Sequence, residues 1–428
     1  MTSPIIEEEF SSKSWKTWKR RFVFWGGALV VGFVAISFAE LADISNDTFS
    51  HWYQKYPTLP FLVTPLGFAL VSLATVNIFP NAQGSGIPQT IAALAESTHA
   101  KRQQLLSLKI ALGKVLLCCL AILCGASMGR EGPTVHIGAS LLFWVGTLAH
   151  FPRHDLDKGL ILAGGAAGVA AAFNTPLAGI VFAIEELGRS FDSKTTSSVV
   201  TAVLLASTMA IFVLGRYTHF GESQASLQTD LLGLLIVLTT GTVCGILGGI
   251  FAATLSRLVV WLAPHLKAHP VLVPASCGLV VAAVGYATDG ASFGTGYGET
   301  RLLIDHPEHG TLIYPFAKMI ATLSSALSGI PGGFFAPSLA CGAGVGASLS
   351  GLFPLVYAKV FVLLGMVGFF SGMIQAPITA FVIITEMTDN QEMLLPLMGT
   401  AFLAYGISKF FCPEPVYQTM AKAFTNRL

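Results

Sequence analysis

The sequence has little charge for its length. Of its 428 residues, 11% are charged and 53% are hydrophobic. A soluble globular domain carries about 25% charged residues, so this chain has too few to cover a surface that faces water. Its mean hydropathy of +0.68 agrees with this. The composition therefore predicts a polytopic membrane protein, and the net charge of +1 gives no reason to expect a nucleic-acid partner.

The sequence also lacks the patterns of other membrane and cysteine-rich proteins. Its apolar runs do not alternate polar and apolar residues, which excludes a single-chain β-barrel and leaves helices as the spanning elements. The seven cysteines contain no CxxC pair. We interpret them as small buried hydrophobic residues rather than as disulfide partners or metal ligands.

The apolar runs differ widely in length. Some are too long for one straight crossing and others are too short, which predicts tilted and broken helices. The runs lie at 22–39, 61–79, 106–128, 159–187, 197–214, 230–262, 270–287, 312–328, 335–353, 359–385 and 394–411. Basic residues precede the first run (Lys13, Lys16, Lys19, Arg20 and Arg21), and acidic residues follow it (Glu40, Asp43 and Asp47). This asymmetry predicts an uncleaved first helix with a cytoplasmic amino terminus.

Two segments of the chain resemble each other. "NTPLAGIVFAIEEL" (174–187) and "QAPITAFVIITEMT" (375–388) align on Pro176 and Pro377, which places Glu185 opposite Glu386. Upstream, "GREGP" ends 43 residues before Pro176 and "GGFFAP" ends 40 residues before Pro377. Apolar segments can resemble each other by chance, but two motifs in the same order favour a duplicated half. Duplicated and often inverted halves are common in secondary transporters.

This interpretation divides the chain into four segments. We expect a cytoplasmic amino-terminal segment, a first transmembrane half, a second transmembrane half and a short carboxyl-terminal tail, at 1–21, 22–214, 215–411 and 412–428.

Three glycine-rich stretches interrupt the apolar runs: "GSGIP" at 84–88, "GREGP" at 129–133 and "GGFFAP" at 332–337. Each is typical of a loop that leads into a helix, because glycine permits a sharp turn and proline suits the first helical turn. The start of a helix presents unpaired N–H groups and a partial positive charge. Three such starts that converge in the membrane would form an anion site, to which the Ser85 hydroxyl could add a donor.

These motifs, the "EE" pair at 185–186 and "EMTDN" at 386–390 together resemble the CLC family of chloride channels and chloride/proton antiporters. The resemblance covers nearly the whole chain. It implies an all-α polytopic membrane protein with two inverted halves and many tilted, broken helices. It also implies a homodimer with a separate anion pathway in each subunit, with chloride and protons as the transported ions.

The resemblance also assigns roles to individual residues. The Ser85 hydroxyl and the N–H groups of Phe334 and Phe335 would bind a central chloride. Glu131 would be the external gating glutamate, and Glu186 the internal proton-transfer glutamate. The other residues expected to line the anion site are Gly86, Ile87, Gly129, Arg130 and Gly132.

The proposed chemistry of Glu131 follows from charge. An ionised carboxylate in an anion site competes with chloride for the same donors, whereas a protonated carboxyl group is neutral and can move away. Ionisable residues within membranes are costly, so we expect them to be functional. A purely structural ion pair between Glu131 and Arg130 is disfavoured, because adjacent residues on a helix do not face each other. Arg130 itself is interpreted as structural, in that it orients the loop or raises the local positive potential.

In one place the sequence departs from the family pattern. We expect a tyrosine after "TDN", with its hydroxyl on the central chloride, and Gln391 stands there instead. The substitution predicts weaker coupling between chloride and protons, although the Gln391 amide could still donate to the anion, so Gln391 is also expected at the anion site. Only 17 residues follow Phe411, so we expect a prokaryotic type without cytoplasmic regulatory domains, in a bacterial inner membrane.

Three alternatives remain open at this stage. A passive voltage- or pH-gated chloride channel of the same fold is the main one. A fluoride-specific member is disfavoured by the intact "GSGIP" and "GREGP" motifs. An enzyme is not expected, since no nucleophile and base stand at a usable spacing and His136 is the only histidine near the motifs. We expect no cofactor and no metal.

Overall fold

The structure is a computed structural model that describes residues 4–148, 156–189, 193–215, 218–228 and 230–425. Side chains are described for the same residues except 4–17, 156–157 and 193–194. The side chains of Lys13 and Lys16, and residues 426–428 of the expected tail, thus lie outside the described part. The described part contains helices joined by loops and no β-strand, which confirms the all-α prediction.

The helices of the first half are α1 (Pro4–Lys55), α2 (Pro60–Asn77), α3 (Ile87–Ala95), α4 (His99–Leu105), α5 (Leu108–Leu123), α6 (Glu131–Leu148), α7 (Leu156–Phe173), α8 (Pro176–Phe182) and α9 (Ser193–Leu214). Those of the second half are α10 (Leu231–Ala268), α11 (Leu272–Ala287), α12 (Tyr297–Asp305), α13 (Ile313–Leu327), α14 (Phe335–Ser350), α15 (Ala358–Ile374), α16 (Pro377–Thr388), α17 (Leu394–Ser408) and α18 (Val416–Thr425). A π-helical turn, Ala183–Gly188, continues α8.

Helices of very different length build the membrane domain. Among the described residues, six stretches are long and apolar enough to cross a bilayer: Trp18–Lys55, Pro60–Asn77, His99–Leu123, Thr195–Leu214, Leu231–Ala268 and Leu355–Ile374. The 38 residues of α10 would extend roughly 57 Å at the rise of an α-helix, against a hydrocarbon core of about 30 Å. Helix α10 must therefore tilt or project from the bilayer. By contrast, α3 and α12 have only 9 residues each and cannot cross.

Two of the expected spans, 159–187 and 359–385, are each broken in the middle. Helix α7 ends before Asn174, where φ is +54°, and α15 ends before Gln375, where φ is +60°. In both cases a proline two residues later begins the next helix, where its fixed φ is compatible with the first turn. The breaks lie at equivalent positions of the two similar segments.

The two similar segments also cap each other. The carboxylate of Glu185, just beyond α8, accepts hydrogen bonds from the Ile378 and Thr379 amides at the start of α16, at 3.0 and 2.6 Å. The carboxylate of Glu386, near the end of α16, accepts bonds from the first amides of α8, at 3.0 and 2.7 Å. Each carboxylate thus stabilises the positive end of the other helix. The reciprocal arrangement makes the two similar segments equivalent, which supports the predicted duplication.

A second pair of equivalent elements was not apparent from the sequence. Helices α3 and α12 follow "GSG" (84–86) and "GTG" (294–296), and the residues before them, Gly86 and Gly296, have φ of +99° and +84°. A side chain with a Cβ would be strained at these angles. Each preceding loop is held by a buried lysine. Lys114 donates to the carbonyls of residues 82–84 and Lys318 to those of residues 292–294, at 2.9–3.3 Å.

Both ends of the described chain are helical, including segments that the sequence analysis set apart from the membrane domain. Helix α1 begins at Pro4 and continues without a break through the expected boundary at residue 21. The expected tail contains α18, which packs against α3 and buries Val416, Tyr417 and Ala421. All seven cysteines are free, and five of them are buried.

Candidate functional site

The three glycine-rich motifs meet at the centre of the protein. The Gly84 amide donates to the Ile330 carbonyl at 3.1 Å, and the Gly332 amide donates to the Gly84 carbonyl at 3.2 Å. Gly129 and Gly333 exchange two backbone hydrogen bonds of 2.8 and 2.6 Å. Consequently the starts of α3, α6 and α14 lie close together. Their unpaired N–H groups and positive helix ends favour an anion between them.

Glu131 is the first residue of α6 and lies inside this junction, only 1% exposed. Its Oε1 atom accepts a hydrogen bond from the Tyr297 hydroxyl at the start of α12. Its Oε2 atom has no hydrogen bond partner in the described structure. That oxygen lies so close to Gly129 that a Cβ at residue 129 would collide with it. The carboxylate therefore folds back over the glycine backbone at the junction.

The side chain of Arg130 is bound by α1. The guanidinium forms an ion pair of 2.5 Å with Asp43 on α1 and donates to the Ala39 carbonyl. It also lies 5.6 Å from the centre of the Tyr297 ring. Arg130 was expected to line the anion site. Instead its charged group fastens α6 to α1 and is largely balanced by Asp43, which supports the structural interpretation.

Ser85 and Tyr417 face the junction from the other side. Both are buried, at 2% and 0% exposure, and neither hydroxyl has a hydrogen bond partner in the described structure. The Tyr417 ring stacks on the rings of Phe334 and Phe335, with centroids 6.3 and 6.4 Å apart. Two unpaired buried donors beside the start of α14 are costly, unless an anion accepts from them.

At the junction, Ser85 lies directly against the backbone of Gly132. A Cβ added at Gly132 would collide with Ser85 Oγ, so the glycine in "GREGP" makes room for the serine in "GSGIP". Gly86 lies nearby, where an added Cβ would meet the Gly132 carbonyl at 3.0 Å. Ile87 is the buried first residue of α3. The structure thus gathers Ser85, Gly86, Ile87, Gly129, Glu131, Gly132, Phe334 and Phe335 in one place.

Gln391 does not belong to this group, which corrects the expectation from the sequence. Its side chain is exposed, in the turn that follows α16. Asn390 fixes that turn by donating to the carbonyls of Ser223 and Ala225, at 2.9 and 2.8 Å. The tyrosine at the junction is Tyr417, from the segment expected to be a tail. The sequence signals this helix but not its position, because apolar residues at 416, 417, 420 and 421 have helical spacing after Pro415.

Glu186 lies in the π-helical turn after α8 and is fully buried. Neither of its carboxylate oxygens has a hydrogen bond partner in the described structure. The partly exposed Arg189 guanidinium lies 3.8 Å from Oε2, and the Gln418 side chain donates to the Glu186 backbone carbonyl at 3.5 Å. Gln418 directly follows Tyr417, so α18 links this turn to the junction. Single π-turns within helices frequently mark functional sites.

His136 and Lys114 have structural roles beside the junction. The His136 Nε2 atom lies 2.8 Å from the Leu105 carbonyl. The Lys114 ammonium is buried and bound by loop carbonyls.

An open cavity of about 660 Å³ reaches the junction. Its lining includes Ser85 and Phe334, residues of α18 such as Thr419, and the exposed Lys267 near the end of α10. A small anion could therefore reach Ser85 through this cavity, and Lys267 supplies a positive charge along the way.

Comparisons with known proteins agree on the family and on the fold. A family model described as "Voltage gated chloride channel" matches residues 67–409. A slow cyanobacterial Cl⁻/H⁺ antiporter of known structure shares 22% identity and a TM-score of 0.81, over 95% of this chain and 98% of the other. A CLC-type fluoride/proton antiporter shares 20% identity and a TM-score of 0.79, over 92% and 96%. A eukaryotic CLC transporter shares 22% identity and a TM-score of 0.71, over 94% and 74%.

Proposed function

Because the chain belongs to the voltage-gated chloride channel (CLC) family, we propose that this integral, multi-pass membrane protein exchanges chloride for protons. The observation that carries the proposal is the position of Glu131. Its buried carboxylate lies at the junction of three helix starts, where an anion would otherwise bind. A single side chain that binds a proton and competes with chloride can couple the movements of the two ions.

The anion site proposed for chloride lies between Ser85 and Tyr417. Their two hydroxyl groups and the N–H groups of Phe334 and Phe335 donate to the ion. The backbone at Gly86, Ile87, Gly129 and Gly132 shapes the surrounding space. Chloride enters from the cavity that contains Lys267. This assignment accounts for two buried hydroxyl groups that otherwise lack partners in the described structure.

Glu131 acts as the gate in this proposal. When ionised, its carboxylate occupies the anion path and is bound by Tyr297. When the carboxyl group is protonated it is neutral, and a site suited to anions no longer favours it over chloride. The Glu131 side chain then leaves the path and chloride passes. Glu186 supplies protons from the other side, since it is a second buried carboxylate with unsatisfied oxygens in the described structure. Arg189 is the charged group beside it at the surface.

We propose tight rather than weak coupling between chloride and protons. The sequence indicated weak coupling because no tyrosine was expected at the anion site, whereas Tyr417 is buried there. The names of two structural neighbours describe proton-coupled antiporters, which supports exchange over a passive channel. Chloride rather than fluoride remains the proposed anion, on the intact "GSGIP" and "GREGP" motifs.

We also propose a homodimer in a bacterial inner membrane with its amino terminus in the cytoplasm. Closed two-fold dimers are the commonest oligomers. The start of the first membrane-spanning stretch supports the orientation. Lys19, Arg20 and Arg21 lie there beside packed rings of Trp18, Phe22 and Trp25, with centroids 5.5–6.4 Å apart. Aromatic and basic residues of this kind are typical of the cytoplasmic membrane interface.

The test uses purified protein in liposomes, with the membrane potential set by potassium and valinomycin. The potential at which net chloride flux stops is measured with and without a pH gradient. Exchange predicts that a pH gradient alone shifts this potential. A passive chloride channel predicts a potential that depends only on the chloride gradient, and that result would overturn the proposal.

A further inference from the structure

Tyr297 has a place at the gate that none of the sequence motifs indicated. Its hydroxyl donates to Glu131 Oε1. Its ring is held from several sides, by the His219 ring at 4.4 Å, the Phe220 ring at 5.9 Å and the Arg130 guanidinium at 5.6 Å. These contacts hold the ring in addition to the bond between its hydroxyl and Glu131.

The segment that carries His219 and Phe220 is itself fixed. The Phe220 amide donates to the Met387 carbonyl at 2.9 Å, and the Ser223 amide donates to the Thr388 carbonyl at 3.0 Å. These bonds tie the connection between the two halves to the end of α16. Tyr297 is consequently braced by a part of the chain that does not belong to the anion junction.

The fold does not itself require a tyrosine at this position. In the other half, the equivalent first residue after "GSG" is Ile87, and α3 has the same length as α12. The two loops are held in the same way by Lys114 and Lys318. An apolar residue therefore serves equally well at such a helix start, and the hydroxyl of Tyr297 has a different purpose.

We propose that the Tyr297 hydroxyl is a positioning group that holds the ionised Glu131 carboxylate in the anion path and thereby limits the rate of exchange. This inference rests on the proposed function and adds a determinant of its speed. A hydrogen bond from a hydroxyl to an ionised carboxylate is about twice as strong as one to a neutral acceptor. Tyr297 therefore favours the closed, ionised form over chloride, which competes for the same place.

The test compares four proteins in liposomes: the parent, Tyr297→Phe, Glu131→Ala and the double variant. Tyr297→Phe removes one oxygen and retains the ring contacts, and thermal unfolding confirms that the variant is folded. We expect initial chloride flux and chloride affinity by calorimetry to rise about tenfold, the scale for a hydrogen bond to a charged group. In the Glu131→Ala background the same substitution should change neither quantity, because the group that Tyr297 holds is absent.

Tyr314→Phe is the matched control, since it removes another tyrosine hydroxyl that is buried and has no partner in the described structure. It should leave flux and affinity unchanged. Unaltered or slower flux in Tyr297→Phe, or an equal rise in the Glu131→Ala background, would overturn the positioning role. The proposed function fails separately, if Glu131→Ala still couples protons to chloride as the parent does.

Discussion

Ser85 and Tyr417 both bury their hydroxyl groups at the anion junction, although the residues lie 332 positions apart in the chain. Ser85 precedes the short helix α3, and Tyr417 lies on α18, which packs against α3. Neither hydroxyl has a partner in the described structure. The last described helix of the chain thus completes a site that the first half begins.

Tyr417→Phe should weaken chloride binding. The variant removes one donor from a buried site, so we expect the dissociation constant to rise about tenfold, the scale for a hydrogen bond to a charged group. Titration calorimetry of the purified protein with chloride measures it. Gln391→Ala is the informative control, because the exposed Gln391 should not affect the affinity. A larger loss in Gln391→Ala than in Tyr417→Phe would return the anion ligand to position 391.

Glu186→Gln should abolish proton transport and leave chloride transport largely intact. The amide has the size of the carboxyl group but cannot carry a proton, and Glu186 does not contact Ser85 or Glu131 by any described hydrogen bond or ion pair. Simultaneous recording of pH and chloride in liposomes separates the two fluxes. Proton flux equal to that of the parent would remove Glu186 from the proton path.

Gly129→Ala should displace the gate without changing any ionisable group. The added methyl group would occupy the place of Glu131 Oε2, so the carboxylate must leave its position over the backbone. We expect the number of protons moved per chloride to fall at least severalfold. Gly406→Ala is the matched control, because a Cβ there meets nothing within 4 Å. Normal coupling in Gly129→Ala would show that the observed carboxylate position is not needed for exchange.

Glu386→Gln and Glu185→Gln should destabilise the protein by similar amounts. Each variant loses one of two hydrogen bonds to a helix start and the charge that favours that end, for a cost of about 1 kcal/mol. Chemical unfolding in detergent measures the change. Glu392→Gln, at an exposed position, should have no effect. A clear difference between Glu185→Gln and Glu386→Gln would contradict their equivalence in the inverted repeat.

The parts of this fold that the sequence predicted are those encoded locally. Glycine and proline mark the helix starts at residues 84–88, 129–133 and 332–337, so their role in a shared anion site could be expected from residue types alone. The aligned glutamates, Glu185 and Glu386, likewise indicated the duplication. The equivalence of "GSG" and "GTG" was missed because Tyr297 and Gly298 replace the Ile-Pro pair that made the first motif conspicuous.

Tyr417 could not be placed from the sequence for a different reason. Helix α18 is short and amphipathic, so it resembles neither a membrane span nor a glycine-rich helix start. Its position depends on packing against α3, which is a tertiary contact between residues more than 300 positions apart. The assignment of Gln391 relied on proximity to "TDN" alone, and the turn that Asn390 fixes directs Gln391 to the surface.

The most direct test of the account measures proton movement against a gradient. Liposomes that contain the parent protein or Glu131→Ala receive an outward chloride gradient, and external pH is recorded while protons face an opposing gradient. The account predicts that the parent takes up protons uphill and that Glu131→Ala releases chloride without moving protons. Uphill proton uptake of equal size in both proteins would contradict the claim that the carboxylate of Glu131 couples the two ions.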